Sequence, residues 1–148
     1  MRRYLLDTGI LVHYARRSEL YKEIEATERL AADDCMPMIS VVTVGEILSF
    51  AHQKNWGAKK IQEIQKLVSK IIVIDINAGD TNLLDTYAEI DTYSKGKHPT
   101  LSSGKSAITM GKNDLWIAAT AKVAKATLLT IDKDFDHLKG NFIEVRKY

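Results

Sequence analysis

The sequence predicts a single α/β domain with a mostly parallel central sheet and helices on both faces. Three observations carry this. Strand-like and helical segments alternate along the chain, in the order strand, helices, strand, helices, strand, helix, helix, strand, turn, strand, as in folds whose strands are joined by crossover helices. The run Ile71-Ile-Val-Ile-Asp75 is continuously apolar down to its final acid, as expected of a strand covered on both faces. A chain of 148 residues with 45% hydrophobic content can build one well-buried core and is short for two. No repeat or linker divides it, so residues 1–148 are read as one domain.

Residues 3–7, Arg-Tyr-Leu-Leu-Asp, read as the first strand; Thr8 and Gly9 turn the chain into a helix over 10–17. A second helix over 19–32 has Leu20, Ile24 and Leu30 as its apolar positions and ends at Asp33-Asp34. The second strand covers 37–42, with Pro37 at its start, where a missing N–H is tolerated. In the helix over 43–54, Thr43-Val-Gly-Glu46 fits a capping box, in which the Glu side chain reaches back to the cap residue's N–H. The helix over 57–70 lines up Ile61, Ile64, Leu67 and Val68 on one face, and the one over 80–93 turns Leu83, Leu84, Tyr87 and Ile90 inward. Residues 94–111 form one long irregular stretch rich in Gly, Ser and Lys, a length that in compact domains is often functional. The next helix has Asn113 as its N-cap and Asp114 in its first turn, where the dipole favours an acid. Its small residues Ala118, Ala119 and Ala121 let it approach a sheet closely. A strand over 127–131 ends at Asp132, a turn or short helix covers 133–138, and a last strand covers 141–146.

Composition excludes several functions. No apolar run approaches the ~18 residues of a membrane span. Met1-Arg-Arg begins like a signal peptide, but Asp7 interrupts the apolar run and no small-residue cleavage site follows, so a cytoplasmic location is expected. The lone Cys35 excludes an internal disulfide and a cysteine zinc cluster and reads as a small, partly buried residue. His13, His52, His98 and His137 show no ligand spacing and read as surface or packing residues. Gly104-Lys-Ser106 matches the end of a phosphate-binding loop, but Pro99 stands where glycine is required and no strand precedes it.

Four acids stand at strand ends or at the helix starts beside them: Asp7 after the first strand, Glu46 in the first turn of the helix after the second, Asp114 at the start of the helix leading to the fourth, and Asp132 after the fourth. Ligands of open α/β sheets bind at the carboxyl ends of the strands. Each acid has a local role open to it as a cap, dipole partner or turn residue, but such roles do not explain why one edge collects all four. Converging carboxylates repel, and a divalent cation relieves that repulsion. All-oxygen ligation favours Mg²⁺ or Mn²⁺ over zinc. With these four set aside, 15 of the 19 acidic residues remain against 21 basic ones, a balance of +6 around an acidic pocket, which suits a polyanionic substrate.

The segments Leu-Leu-Asp7-Thr-Gly-Ile-Leu, Val-Gly-Glu46-Ile, Asn113-Asp114-Leu-Trp-Ile-Ala-Ala-Thr-Ala and Leu-Leu-Thr130-Ile-Asp132-Lys-Asp-Phe resemble, in order, the four signature segments of PIN-domain ribonucleases, above all the VapC toxins of toxin–antitoxin pairs. The resemblance covers essentially the whole chain. It implies a PIN fold and an acidic catalytic and metal site of Asp7, Glu46, Asp114 and Asp132, with Thr8, Asn113 and Thr130 in support. Asp134 is the alternative to Asp132. It further implies Mg²⁺- or Mn²⁺-dependent hydrolysis of single-stranded or loop regions of structured RNA, leaving a 5′-phosphate and a 3′-hydroxyl. A homodimer and a small inhibitory antitoxin protein are the implied partners. The amphipathic helices between 43 and 70 also favour a dimer, since they offer more apolar surface than one small sheet covers. Lys95, Lys97, Lys105 and Lys112 are candidate contacts to the RNA backbone. The alternatives are an RNA-processing PIN nuclease that is not a toxin and a PIN module that binds without cutting. Leu-Leu-Asp7-Thr-Gly also matches the active-site triplet of retroviral-type aspartic proteases, but those are all-β and this chain has clear helical segments.

Overall fold

In the computed structural model, which describes residues 1–148, strand β1 (Arg2–Leu6) sits at the middle of the sheet and serves two cores. Successive side chains of a strand point to opposite faces. Leu5 therefore packs with Leu128, Ile117 and Phe135 on one side, while Tyr4 and Leu6 pack with Ile10, Leu11 and Ile24 on the other. The remaining strands are β2 (Cys35–Ser40), β3 (Ile72–Ile74), β4 (Thr127–Thr130) and β5 (Val145–Lys147). Their order is β3-β2-β1-β4-β5, and every pairing is parallel.

Helices α1 (Thr8–Arg16), α2 (Glu19–Glu28), α3 (Val41–Gln53) and α4 (Ala58–Val68) contribute buried residues to the Tyr4 and Leu6 face. Helices α5 (Thr81–Ser94) and α6 (Lys112–Val123), with the 3₁₀ turn Lys133–Leu138, cover the Leu5 face. Ala118, Ala119 and Ala121 of α6 are fully buried, the close approach expected of small residues. Helices thus lie on both faces, as the alternation of segments predicted. No helix is long and apolar enough to cross a membrane.

Several local expectations are corrected. Ser40, at the end of β2, caps α3 by accepting the Val42 N–H at 3.1 Å, so the helix starts at Val41. There is no capping box at Thr43, which is buried inside the helix, and Glu46 falls beyond the first turn. Helix α6 starts at Lys112 with Gly111 as its cap and no side-chain cap bond, which leaves Asn113 an exposed first-turn residue. Helix α2 stops at Glu28 because Arg29 turns left-handed, at φ 54°. The apolar run of β3 is an edge strand, covered on one flank only, and Ile72 and Val73 are 49% and 38% exposed. The last strand begins at Val145; residues 141–144 are spent on a turn with one bridge, Lys139 to Ile143.

The 94–111 stretch contains no strand and, past Ser94, no helix. It is tied at both ends: the Ile108 N–H bonds the Ser94 carbonyl at 2.7 Å, and Met110 is buried beside the Ser94 hydroxyl. His137 serves packing, as read from the sequence. It is buried, with Nε2 2.7 Å from the Ser94 hydroxyl.

Candidate active site

The chain lays down β1, β2 and β3 outward in one direction and then places β4 on the other flank of β1. The crevice between β1 and β4 is the switch point of the sheet, the place where open α/β folds bind ligands. Asp7 stands there as the N-cap of α1, 7% exposed. One oxygen accepts the Thr8 N–H at 2.8 Å, and the other accepts the Thr130 hydroxyl at 2.7 Å. Because Thr130 Oγ1 donates its proton to Asp7, it can accept the Asp132 N–H, which lies at 2.9 Å. Asp132 in turn caps the 3₁₀ turn, accepting the Asp134 N–H at 2.9 Å.

From the opposite wall, Glu46 on α3 accepts the Thr8 hydroxyl at 2.8 Å, and that hydroxyl lies 3.4 Å from the hydroxyl of buried Thr43. Asp114 enters from the first turn of α6. Carboxylate oxygens of Asp114, Asp132 and Asp134 all lie within 4.8 Å of one another. Gly9 lets α1 start close against the residue after β4: a Cβ there would fall 2.9 Å from the Ile131 side chain.

The electrostatics record this convergence. Burial pushes the Asp7 carboxyl above its ordinary value, the bonds from Thr130 and Thr8 oppose the rise, and the charges of Glu46 and Asp132 add to it. Asp114 is pushed up to about 7, first by burial and then by the charges of Asp7, Asp132, Glu46 and Asp134. No lysine or arginine forms an ion pair with any of these five acids. An oxygen-rich, negatively charged crevice without a protein counter-cation fits a hard divalent ion.

Of the four sequence-predicted acids, Asp114 and Asp132 come together with Asp134, Asp7 is joined to Asp132 through Thr130, and Glu46 is bonded to Thr8 on the facing wall, near enough for its charge to act on Asp7 and Asp114. Asn113 is exposed and makes no side-chain bond there; it lines the neighbouring groove. Asp134, read from sequence as the alternative to Asp132, stands beside Asp114 together with Asp132. The sequence reading missed Thr43, because a Thr-x-x-Glu pattern after a strand reads as a cap.

These features define an α/β protein with an acidic crevice at its switch point. The chain belongs to the PIN-domain family, whose model, described as "PIN domain", matches residues 4–141. No curated protein sequence matches it. Among solved structures it is similar to VapBC2 from Rickettsia felis bound to a promoter DNA fragment, with a TM-score of 0.76 at 22% identity over 99% of this chain and 98% of that one. It is also similar to VapBC-1 from nontypeable Haemophilus influenzae, with 0.70 at 22% identity over 98% and 97%. DNA-bound VapBC from Salmonella typhimurium gives 0.69 at 17% identity over 99% and 98%.

Proposed function

We propose that the chain is a divalent-metal-dependent endoribonuclease acting in the cytoplasm as the toxin of a toxin–antitoxin pair. One observation carries the reading: Asp7, Glu46, Asp114 and Asp132 converge with no counter-cation, and burial first, then the charges of its acidic neighbours, pushes Asp114 up to about 7. Family membership and the VapBC neighbours support it.

In this reading the four acids would hold Mg²⁺ or Mn²⁺, with Asp134 at the rim. Bound there, the ion would supply Lewis-acid chemistry, acidifying an attacking water and offsetting charge on the phosphoryl group. The protein supplies placement. Thr130 orients Asp7 and fixes the backbone of Asp132; Thr8 orients Glu46 toward the crevice. Water attacks phosphorus, the 3′-oxygen leaves with a proton, and the products carry a 5′-phosphate and a 3′-hydroxyl. The substrate is single-stranded or loop RNA, whose exposed backbone reaches a crevice open at the sheet edge. Asn113, exposed at the start of α6, offers an amide to the same strand. Lys95, Lys97, Lys105 and Lys112 supply charge for the backbone around it.

The partners proposed are a small antitoxin and a second copy of the chain. The solved neighbours named as VapBC complexes support the first. Exposed apolar side chains of Val41, Leu48, Ile72 and Val73 support the second. The test of function is incubation of purified protein with unstructured and hairpin RNA in Mg²⁺, Mn²⁺ and EDTA. Metal-dependent cleavage with 5′-phosphate products is expected; intact RNA in every metal would refute it.

A further inference from the structure

We infer that the groove between α1 and α3 is a subsite for the RNA nucleotides flanking the scissile phosphate, an inference that rests on the nuclease reading above. The groove has a volume of about 840 Å³ and runs on from the acidic crevice, since Thr8, Glu46 and Asn113 line it. Its lining also includes His13 and Arg16 of α1 and Gly45 and Phe50 of α3. One end is thus acidic and the other basic, which matches a strand whose reacting phosphate sits over metal while the next phosphate needs a protein cation.

Arg16, Gly45 and Phe50 are exposed along this groove. Arg16 is exposed and its guanidinium has no hydrogen bond or ion pair, although five other basic side chains and His98 find acids. His13 Nδ1 lies 2.8 Å from the Ser18 hydroxyl, which already accepts the Tyr21 N–H. This contact holds the imidazole ring at the groove wall. Phe50 is an exposed aromatic, 36% accessible, in T-shaped contact with Trp56 at 5.7 Å between centroids. Lysine ammoniums sit against both rings, Lys54 at 5.7 Å and Lys60 at 4.1 Å. Basic groups interleaved with aromatic faces are the means by which single strands are held, through phosphate contacts and base stacking.

Gly45 adds an independent observation. Glycine inside an exposed helix destabilises it relative to alanine. A Cβ at Gly45 would meet nothing within 4 Å, so no protein contact requires the glycine. A bare backbone beside Glu46, facing a groove, lets a bulky ligand approach closely.

The test is the affinity of a labelled, unstructured RNA of about twelve nucleotides, read by fluorescence anisotropy in Ca²⁺ in place of Mg²⁺ to separate binding from cleavage. Arg16→Ala, Phe50→Ala and Gly45→Leu should each weaken binding about fivefold or more, while melting close to the parent. Arg16→Ala should also reduce the salt slope by about 1. Lys125→Ala, just past the C-terminal end of α6, should bind like the parent. Unchanged affinity in Arg16→Ala or Phe50→Ala would overturn the subsite. So would preferential binding of a glutamate-rich peptide that Arg16→Ala abolishes, which would assign the groove to a protein arm. Cleavage of the same RNA in Mg²⁺ separates the two claims. Binding that responds to the variants without cleavage keeps the groove and removes the nuclease; cleavage by a parent whose groove variants bind normally does the reverse.

Discussion

The Thr130 hydroxyl donates to Asp7 across 2.7 Å and accepts the Asp132 N–H at 2.9 Å, joining by one oxygen two acids that lie 125 positions apart. Thr130 is fully buried, so neither bond is replaced by bulk water when the hydroxyl is removed. Thr130→Val should destabilise the protein by about 1–3 kcal/mol and lower RNA cleavage, because Asp7 loses its orienting donor. Thr130→Ser keeps the hydroxyl and should restore both. Equal activity in the Val and Ser variants would show that the bond does not position the site.

The pH dependence of metal-free stability follows from Asp114. Its folded value of about 7 lies above the roughly 3.9 of an unfolded aspartate. The native state therefore binds more protons over that window, and its stability falls as pH rises from about 4 to about 7. Asp7 is shifted in the same direction. Denaturant titrations in EDTA at pH 5 and pH 7.5 should show the loss, and saturating Mg²⁺ should recover stability at the higher pH.

Glu28 should behave in the opposite sense. It is 1% exposed and accepts from the Tyr4 and Tyr148 hydroxyls at 2.8 and 2.6 Å and from the Arg146 guanidinium. Burial raises its carboxyl, but the bonds from Arg146, Tyr148 and Tyr4 outweigh burial and leave it below the ordinary value. Its contribution is present at neutral pH and is lost as pH falls below about 4. Glu28→Ala should cost about 2–3 kcal/mol, measured by denaturant unfolding. It should leave the thermal shift on adding Mg²⁺ unchanged, because this cluster clasps the end of α2 to β1 and to the C-terminal strand, away from the crevice.

Asp132 and Asp134 are separable. Asp132 is held by Thr130 and caps the 3₁₀ turn, whereas Asp134 is exposed at the rim. Asp132→Asn should abolish cleavage; Asp134→Asn should weaken metal binding, read by calorimetry, yet retain cleavage at saturating Mg²⁺. The opposite ranking would move the principal acid to Asp134.

The sheet and its acidic edge were legible because they depend on patterns that survive in one dimension: alternation of segments, and acids at the carboxyl ends of strands. Local caps were less legible. Ser40 and Thr43 both suit an N-cap, and the choice fell to Ser40 because β2 runs straight into α3 with no loop between them. Asn113 lost the cap of α6 to Gly111. The apolar run at 71–75 could not reveal that β3 is an edge strand, since strand order is a property of the whole sheet. Glu28 left no trace at all: its partners stand 24, 118 and 120 positions away, and nothing local marks it as a buried carboxylate. Arg16 and Phe50 look like ordinary surface residues until α1 and α3 are placed side by side.

If four carboxylates form one metal-holding catalytic crevice, Asp114→Asn should disable it without harming the fold. The substitution keeps the side chain's shape and removes one of the mutually repelling charges. Melting curves with EDTA and with Mg²⁺, together with one RNA cleavage assay, should give a metal-free variant as stable as the parent or more so. They should also show a reduced thermal shift on adding Mg²⁺ and no cleavage. A variant that is less stable without metal, responds to Mg²⁺ as the parent does and still cuts RNA would contradict the account, leaving Asp114 as a helix-start residue and nothing more.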